Sequence, residues 1–266
     1  MLRVVTFTIA LCGLTLGVPA CRMARAPQTS MQSFSLRVLT YNINASAPLT
    51  DESLRAIREA NADLVCLQEV RSDAETRLRN EFRRTYPHVF SLATPGGWDG
   101  LLILSRHKLR RQRALPKTPE SWFPAMAADV STPAGDIQVL NVHLRPRVAD
   151  FGGVLVGHFV VGPMHERELA AHLAMFDTDR PLLVIGDMNA ADDEPAMKYM
   201  NQRGLASALA PFDSASPTFI GKYRRIPVRG RVDHIMHSRH FRATEAAVID
   251  NRGSDHLPVT ARLEWN

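Results

Sequence analysis

A chain of 266 residues that is 45 % apolar and 22 % charged, with 15 Gly and 17 Pro, has ordinary globular composition. No internal repeat and no long Pro-, Gly- or Ser-rich tract interrupts it, which excludes a solenoid and predicts one domain over residues 34–266. The net charge of +5, with Arg110-Arg111, Arg224-Arg225 and Arg229-x-Arg231, suits a phosphate-bearing partner, either nucleic acid or an anionic head group.

Residues 1–26 stand apart. Arg3 gives a short positive start, Val4 to Val18 form an apolar run, and small residues follow at Ala20 and Ala24. That is the layout of a secretory signal, and the run is too short for a comfortable span of ~20 residues. Val18-Pro19-Ala20-Cys21 also resembles a lipobox, so cleavage of residues 1–20 would leave Cys21 lipidated and associated with a membrane. The expected location is therefore the bacterial periplasm, the outer membrane or the medium. Cys12 would be removed with the signal, and Cys66 reads as a buried strand residue, so no disulfide framework is expected.

Regular patterning starts after Ser33. Leu36 to Tyr41 alternates like a half-buried strand. Thr50 or Asp51 caps a helix running to Ala60; Leu64–Leu67 is a short buried strand, and Asp73–Arg84 a charged helix. Further strands are predicted at Leu101–Leu104, Ala127–Val130, Ile137–Val142, Leu182–Ile185, Val232–Met236 and Val259–Leu263, with helices at Glu166–Phe176 and Glu194–Asn201. Strands with interspersed helices indicate a layered α/β domain.

Polar residues gather where these strands end. Asn42 closes the first and Glu69 the second, while His143 follows Val142 and Asp187 follows Ile185-Gly186. Asp233 lies in another strand, and Asp255-His256 precede the last. Such ends converge on one rim of a sheet, where α/β proteins build sites. Glu69 and Asp255 are hard carboxylate donors for Mg²⁺ and Asn42 a neutral amide, a set whose net charge near zero would not repel a phosphodiester. His143 and His256 are suited to proton transfer and cationic hydrogen bonding, Asp187 to taking a proton from water, and Asn189 to holding a phosphoryl oxygen or the water. An imidazole needs an orienting partner, for which Asp233 can serve His256 and Asp99 can serve His143.

Seven segments, in order, resemble the endonuclease/exonuclease/phosphatase superfamily: Thr40-Tyr41-Asn42-Ile43, Leu67-Gln68-Glu69-Val70, Gly100 to Arg106, Asn141-Val142-His143-Leu144, Gly186-Asp187-Met188-Asn189, Arg231 to Ile235, and Ser254 to Val259. The resemblance implies a four-layer α/β sandwich, two packed β-sheets flanked by helices. It implies that Glu69 binds Mg²⁺ (Mn²⁺ or Ca²⁺ as substitutes), with Asn42 and Asp255 as ligand or water-holder. His143, Asp187, Asn189 and His256 match its catalytic positions, and Asp233 its His-orienting aspartate. Asp99 carries over only from the deoxyribonuclease-like branch. The histidine at 143 leans toward the deoxyribonuclease, sphingomyelinase and phosphatase branches rather than the apurinic endonucleases.

Two features stay outside those motifs. His158, His165, His172, His234, His237 and His240 are read as solvated surface residues rather than a second metal site. The apolar stretch Phe151–Pro163 is read as a loop or hairpin beside His143, either packed on the cleft or exposed to lipid. Arg145 and Arg147 just before it are candidate phosphate contacts. The expected activity is hydrolysis of a phosphodiester by a monomer, with a nuclease favoured by charge. The alternatives are a lipid or head-group phosphodiesterase or phosphatase, and a binding module that lost catalysis.

Overall fold

In the computed structural model, which describes residues 34–93, 96–146, 154–223, 225–251 and 253–266, strand β1 (Ser35–Asn42) sets the layering. Its Leu36 and Val38 enter one apolar cluster while Leu39 and Tyr41 enter another on the opposite face. β2 (Leu64–Gln68) pairs parallel to it and β4 (Leu101–Ser105) antiparallel to β2, each with the same two-sided split. A strand buried on both faces needs a continuous apolar run, which is what Leu64–Leu67 and Leu101–Leu104 supply. β3 (His88–Ser91), β13 (Phe241–Val248) and β14 (Val259–Trp265) complete a sheet of order β13-β14-β1-β2-β4-β3.

The second sheet repeats this with other residues. β5 (Lys108–Leu115), β6 (Ala125–Thr132), β7 (Gly135–His143), β8 (Leu182–Asp187), β12 (Asp233–His237) and β9 (Ala206–Ser207) follow in that order. Val139, Ile185 and Ile235 face Val38, Cys66 and Ile103 of the first sheet, forming the core between sheets. On the outer face of the first sheet lie α1 (Asp51–Ala60) and α2 (Ser72–Phe82), which bury Ile57, Leu78 and Phe82 against Val65 and Leu67. Over the second lie α3 (Val154–Leu173) and α4 (Pro195–Gln202), whose Leu169, Leu173 and Met197 cover Leu140 and Val184. This is the expected four-layer α/β sandwich.

Local chemistry places the helix ends where the sequence puts them. Thr50 accepts the Ser53 amide at 3.1 Å as N-cap of α1, and Asn61 closes it in a left-handed conformation at φ 47°. The apolar stretch is different. From Val154 onward it is the first half of α3, not a loop or hairpin. Its β-branched residues argue against helix locally, but packing overrides that preference: Val161 is buried, and Gly162 lets Pro195 of α4 approach. Among the described residues no helix is long and apolar enough to cross a membrane. Residues 1–26, expected to be a signal, and with them Cys21, lie outside the described residues, as does Arg147.

β7 and β8 run parallel with His143 opposite Asp187, and their close approach depends on Gly186. Its φ is 144°, and a Cβ there would stand 2.0 Å from the Val142 carbonyl oxygen. Gly186→Ala is therefore expected to lower the free energy of unfolding by at least about 2 kcal/mol in urea titration. A loss within about 0.5 kcal/mol, the range of an ordinary surface change, would contradict this account of the strand pair.

Candidate active site

The sheet registers bring all the strand-end residues to one rim. Asn42 and Gln68 are partners across β1 and β2, His143 and Asp187 across β7 and β8, and Asp187 and Asp233 across β8 and β12. Because β14 runs antiparallel to β1, the residues before its start, Asp255 and His256, arrive at the same end. A cleft of about 390 Å³ opens there, lined among others by Glu69, His143, Asp187, Asn189, Asp255 and His256.

Side chains from both sheets meet at Asp187. Its Oδ2 accepts from Asn42 Nδ2 at 3.0 Å and lies 3.4 Å from His143 Nε2 and 3.6 Å from His256 Nε2. The second N–H of the same Asn42 amide donates to Glu69 Oε1 at 3.0 Å, so one neutral group separates two carboxylates. Asp187 Oδ1 accepts the Asn189 main-chain N–H at 3.0 Å. Burial raises the Asp187 carboxyl above its ordinary range, against the pull of His256, and so makes it a stronger base.

The two histidines are held differently. His256 Nδ1 is 2.9 Å from Asp233 Oδ2; burial alone would lower its pKa, but the Asp233 and Asp187 carboxylates override that and raise it to about 10. His256 is therefore an imidazolium at neutral pH. His143 is pushed down to about 4 by burial and stays neutral. The expected partnership with Asp99 does not form: Asp99 is only half-buried, and His143 Nδ1 has no hydrogen-bond partner among the described residues. Its ring is instead stacked on Phe123, centroids 3.7 Å apart and planes 6° from parallel. With Nδ1 facing no donor and Nε2 beside carboxylates, the favoured tautomer carries its proton on Nε2.

The carboxylates suited to a hard divalent cation are Glu69 and Asp255; Asn42, expected as ligand or water-holder, instead turns its N–H groups on Glu69 and Asp187 while its Oδ1 accepts the Asn44 amide at 3.0 Å. Glu69 takes the unusual φ of 56°, which turns its carboxylate to the rim, where Oε2 accepts the Ala45 amide at 2.9 Å. Asp255 Oδ1 accepts from Asn44 Nδ2 at 2.9 Å. Both carboxylates line the cleft, so this pair fits such an ion. Asp187, Asp233 and His256 form a second cluster, their ligand atoms within 4.8 Å of one another. That trio suits a metal less well, because His256 is cationic and Asp233 completely buried.

Several contributors carried no signal in the sequence. Gln68 Nε2 donates to Asn141 Oδ1 at 2.8 Å across the two sheets directly beneath the rim, and Asn141 Nδ2 donates to the Leu67 carbonyl at 3.2 Å. Thr218 Oγ1 accepts the amides of Val232 and Asp233 at 2.9 and 3.0 Å. Other expectations are corrected. Arg145 does not line the cleft; its guanidinium lies 4.6 Å from the Trp122 ring centre. His165, His172, His234 and His237 are buried, not solvated. They belong to α3 or β12, and three of the four have a nitrogen within hydrogen-bonding distance of a main-chain carbonyl.

Two six-stranded mixed sheets with a carboxylate and imidazole cluster at one end match the α/β sandwich of phosphoester hydrolases. The chain belongs to the Endonuclease/Exonuclease/phosphatase family, whose sequence profile matches residues 39–256. Members of that family hydrolyse phosphoester bonds and are generally dependent on divalent metals. A family protein from Beutenbergia cavernae DSM 12333 superposes with a TM-score of 0.71 at 22 % identity, covering 87 % of this chain and 72 % of that one. D. rerio TDP2 complexed with single-strand DNA product gives 0.67 at 16 % identity (86 % and 98 % covered), and the human Nocturnin catalytic domain with bound sulfate 0.62 at 20 % (87 % and 95 %). No curated protein matches by sequence.

The His256 pKa also has a consequence for stability. It is raised from 6.5 to about 10, so the folded state holds the proton more tightly than the unfolded chain. The stabilisation is complete below pH 6.5 and is lost as pH rises through about 10. In EDTA, the stability gap between wild type and Asp233→Asn is therefore expected to shrink steadily from pH 7 to pH 10. A gap that stays constant or widens over that interval would show that Asp233 does not hold the proton on His256.

Proposed function

We propose that this chain is an exported, Mg²⁺-dependent phosphodiesterase, and a nuclease by preference. The observation that carries the reading is Asp187, a buried carboxylate within 3.6 Å of a cationic and a neutral imidazole and bridged by Asn42 to Glu69. In this reading Glu69 and Asp255 would hold the ion, with Asn42 fixing the Glu69 carboxylate beside Asp187. When bound, Mg²⁺ supplies a Lewis acid for a phosphoryl oxygen.

The side chains supply the rest. Asp187, made more basic by burial, takes a proton from the attacking water. His256, kept cationic by Asp233, donates a charged hydrogen bond to the oxygen on which negative charge develops. His143 donates a neutral N–H to another phosphoryl oxygen, and Asn189 positions the water or the phosphate from the cleft wall. Export rests on the pattern of residues 1–26. The basic chain supports nucleic acid over lipid, and the described part of the apolar stretch is divided, with Val161 and Gly162 buried and Val160 exposed.

Glu69→Gln keeps the size of the side chain and removes one charge. On a chromogenic phosphodiester with Mg²⁺, kcat/KM is expected to fall at least about 100-fold, equivalent to ~2.7 kcal/mol, with little change in melting temperature. Full activity in this variant, or in wild type with excess EDTA, would reject the metal assignment.

A further inference from the structure

One wall of the cleft is a two-stranded hairpin, β10 (Phe219–Tyr223) and β11 (Ile226–Gly230), outside both main sheets. A hairpin alone is marginally stable, so what fixes it matters. Its base is stitched to the catalytic segment: Ile220 N donates to the Asp255 carbonyl at 2.8 Å, Leu257 N to the Thr218 carbonyl, and Phe219 bridges His256. The Phe219 ring lies 5.0 Å from the His256 ring and covers Gly221, where a Cβ would come within 2.3 Å of it. Gly221 thus lets the aromatic ring tie the strand to His256, and the next residue, Lys222, inherits a fixed place.

Lys222 and Arg229 both line the cleft with Glu69 and Asp255. In the hairpin register Ile220 faces Arg229 and Lys222 faces Pro227, so Lys222 and Arg229 are diagonal neighbours on one face. Both are exposed, and neither has an ion pair or hydrogen bond among the described residues. The third cation of this wall behaves differently. Arg231 is nearly buried and locked 3.2 Å from both Asp192 and Asp213, so its charge is already spent on the fold. Two unpaired cations beside an acidic floor are placed for an anion that is not the one reacting. Arg229 sits one residue from Gly230, the register partner of the bridged Phe219, and Lys222 lies three residues beyond that bridge, about 10 Å along the strand, so the pair leads outward from the reacting phosphate.

We propose that Lys222 and Arg229 form a second phosphate subsite, so that the preferred substrate carries another phosphate beside the scissile one, as a single-stranded oligonucleotide does. This rests on the phosphodiesterase reading for its catalytic meaning, but the subsite can be tested by binding alone. The double variant Lys222→Gln/Arg229→Gln is compared with the charge-retaining Lys222→Arg/Arg229→Lys in the full chain with Mg²⁺. The first measurement is the salt dependence of binding to a phosphorothioate oligonucleotide. With about 0.7 of slope per contact on a single strand, losing two contacts lowers the log–log slope by about 1.4 in the Gln pair and leaves it in the Arg/Lys pair. The second is kcat/KM on an oligonucleotide divided by kcat/KM on a chromogenic diester with one phosphate, expected to fall at least about tenfold in the Gln pair only.

An unchanged salt slope overturns the subsite. So does an equal loss on both substrates, which would place the two cations on the reacting phosphate. Loss of binding to phosphatidylglycerol vesicles with oligonucleotide binding intact overturns it in favour of a lipid surface. If wild type hydrolyses neither substrate, the phosphodiesterase reading fails, and the salt slope still decides the subsite.

Discussion

Asp187 is the point at which the two sheets are forced to agree. It is 1 % exposed, and Asn42 Nδ2 from the first sheet and Asn189 N from its own chain segment donate to it. A buried charge without such partners costs several kcal/mol, so the packing of one sheet on the other must deliver Asn42 and the imidazoles to within about 3.6 Å. The Gln68–Asn141 bridge beneath performs the same task for neutral groups, fixing the sheets in register where an apolar contact would allow them to slide. Gly186 permits the β7–β8 approach that this requires. Fold and site are therefore set by the same contacts.

The same residue type is given opposite character on the two sides of that carboxylate. His256 meets Asp233 at 2.9 Å and is held cationic, whereas His143 meets the face of Phe123 and is held neutral. Environment, not sequence, divides their roles. The rim collects four carboxylates, Glu69, Asp187, Asp233 and Asp255, against one imidazolium. An anionic substrate therefore requires more positive charge than His256 provides. A divalent ion at Glu69 and Asp255 would supply part of it, and the unpaired cations of the β10–β11 hairpin add positive charge at its border.

Much of this was legible in the sequence, for physical reasons. Continuous apolar runs marked β2, β4 and β8, and apolar residues spaced along a strand marked β1, β7 and β12, each to within a residue or two. The strands that went unmarked include β3, β5, β9 and β13, which are the four sheet edges. β5 reads Lys-Leu-Arg-Arg-Gln-Arg-Ala-Leu, a charged and bulged edge that discourages pairing with other chains and carries no alternation. The strand-end acids, amides and histidines were visible as residues. Phe123 on His143 was not, because stacking partners come from distant loops and any aromatic residue looks like core. The misreading of Asp99 has the same origin: a carboxylate near in sequence to a motif is no guide to which nitrogen it reaches. The buried histidines of α3 and β12 were taken as surface because a polar side chain in a pattern gives no sign of the main-chain carbonyl that will satisfy it, such as that of Arg145, Ala190 or Ser238.

The division of charge between the histidines can be observed directly. In the metal-free protein, ring carbon–proton correlation spectra of ¹³C-labelled histidine, assigned through His143→Gln and His256→Gln, report each protonation state against pH. The account predicts an imidazolium signal for His256 that persists from neutral pH to about 10, and a neutral imidazole for His143 that persists down to about 4. Two histidines titrating together near their ordinary value of 6.5 would contradict it.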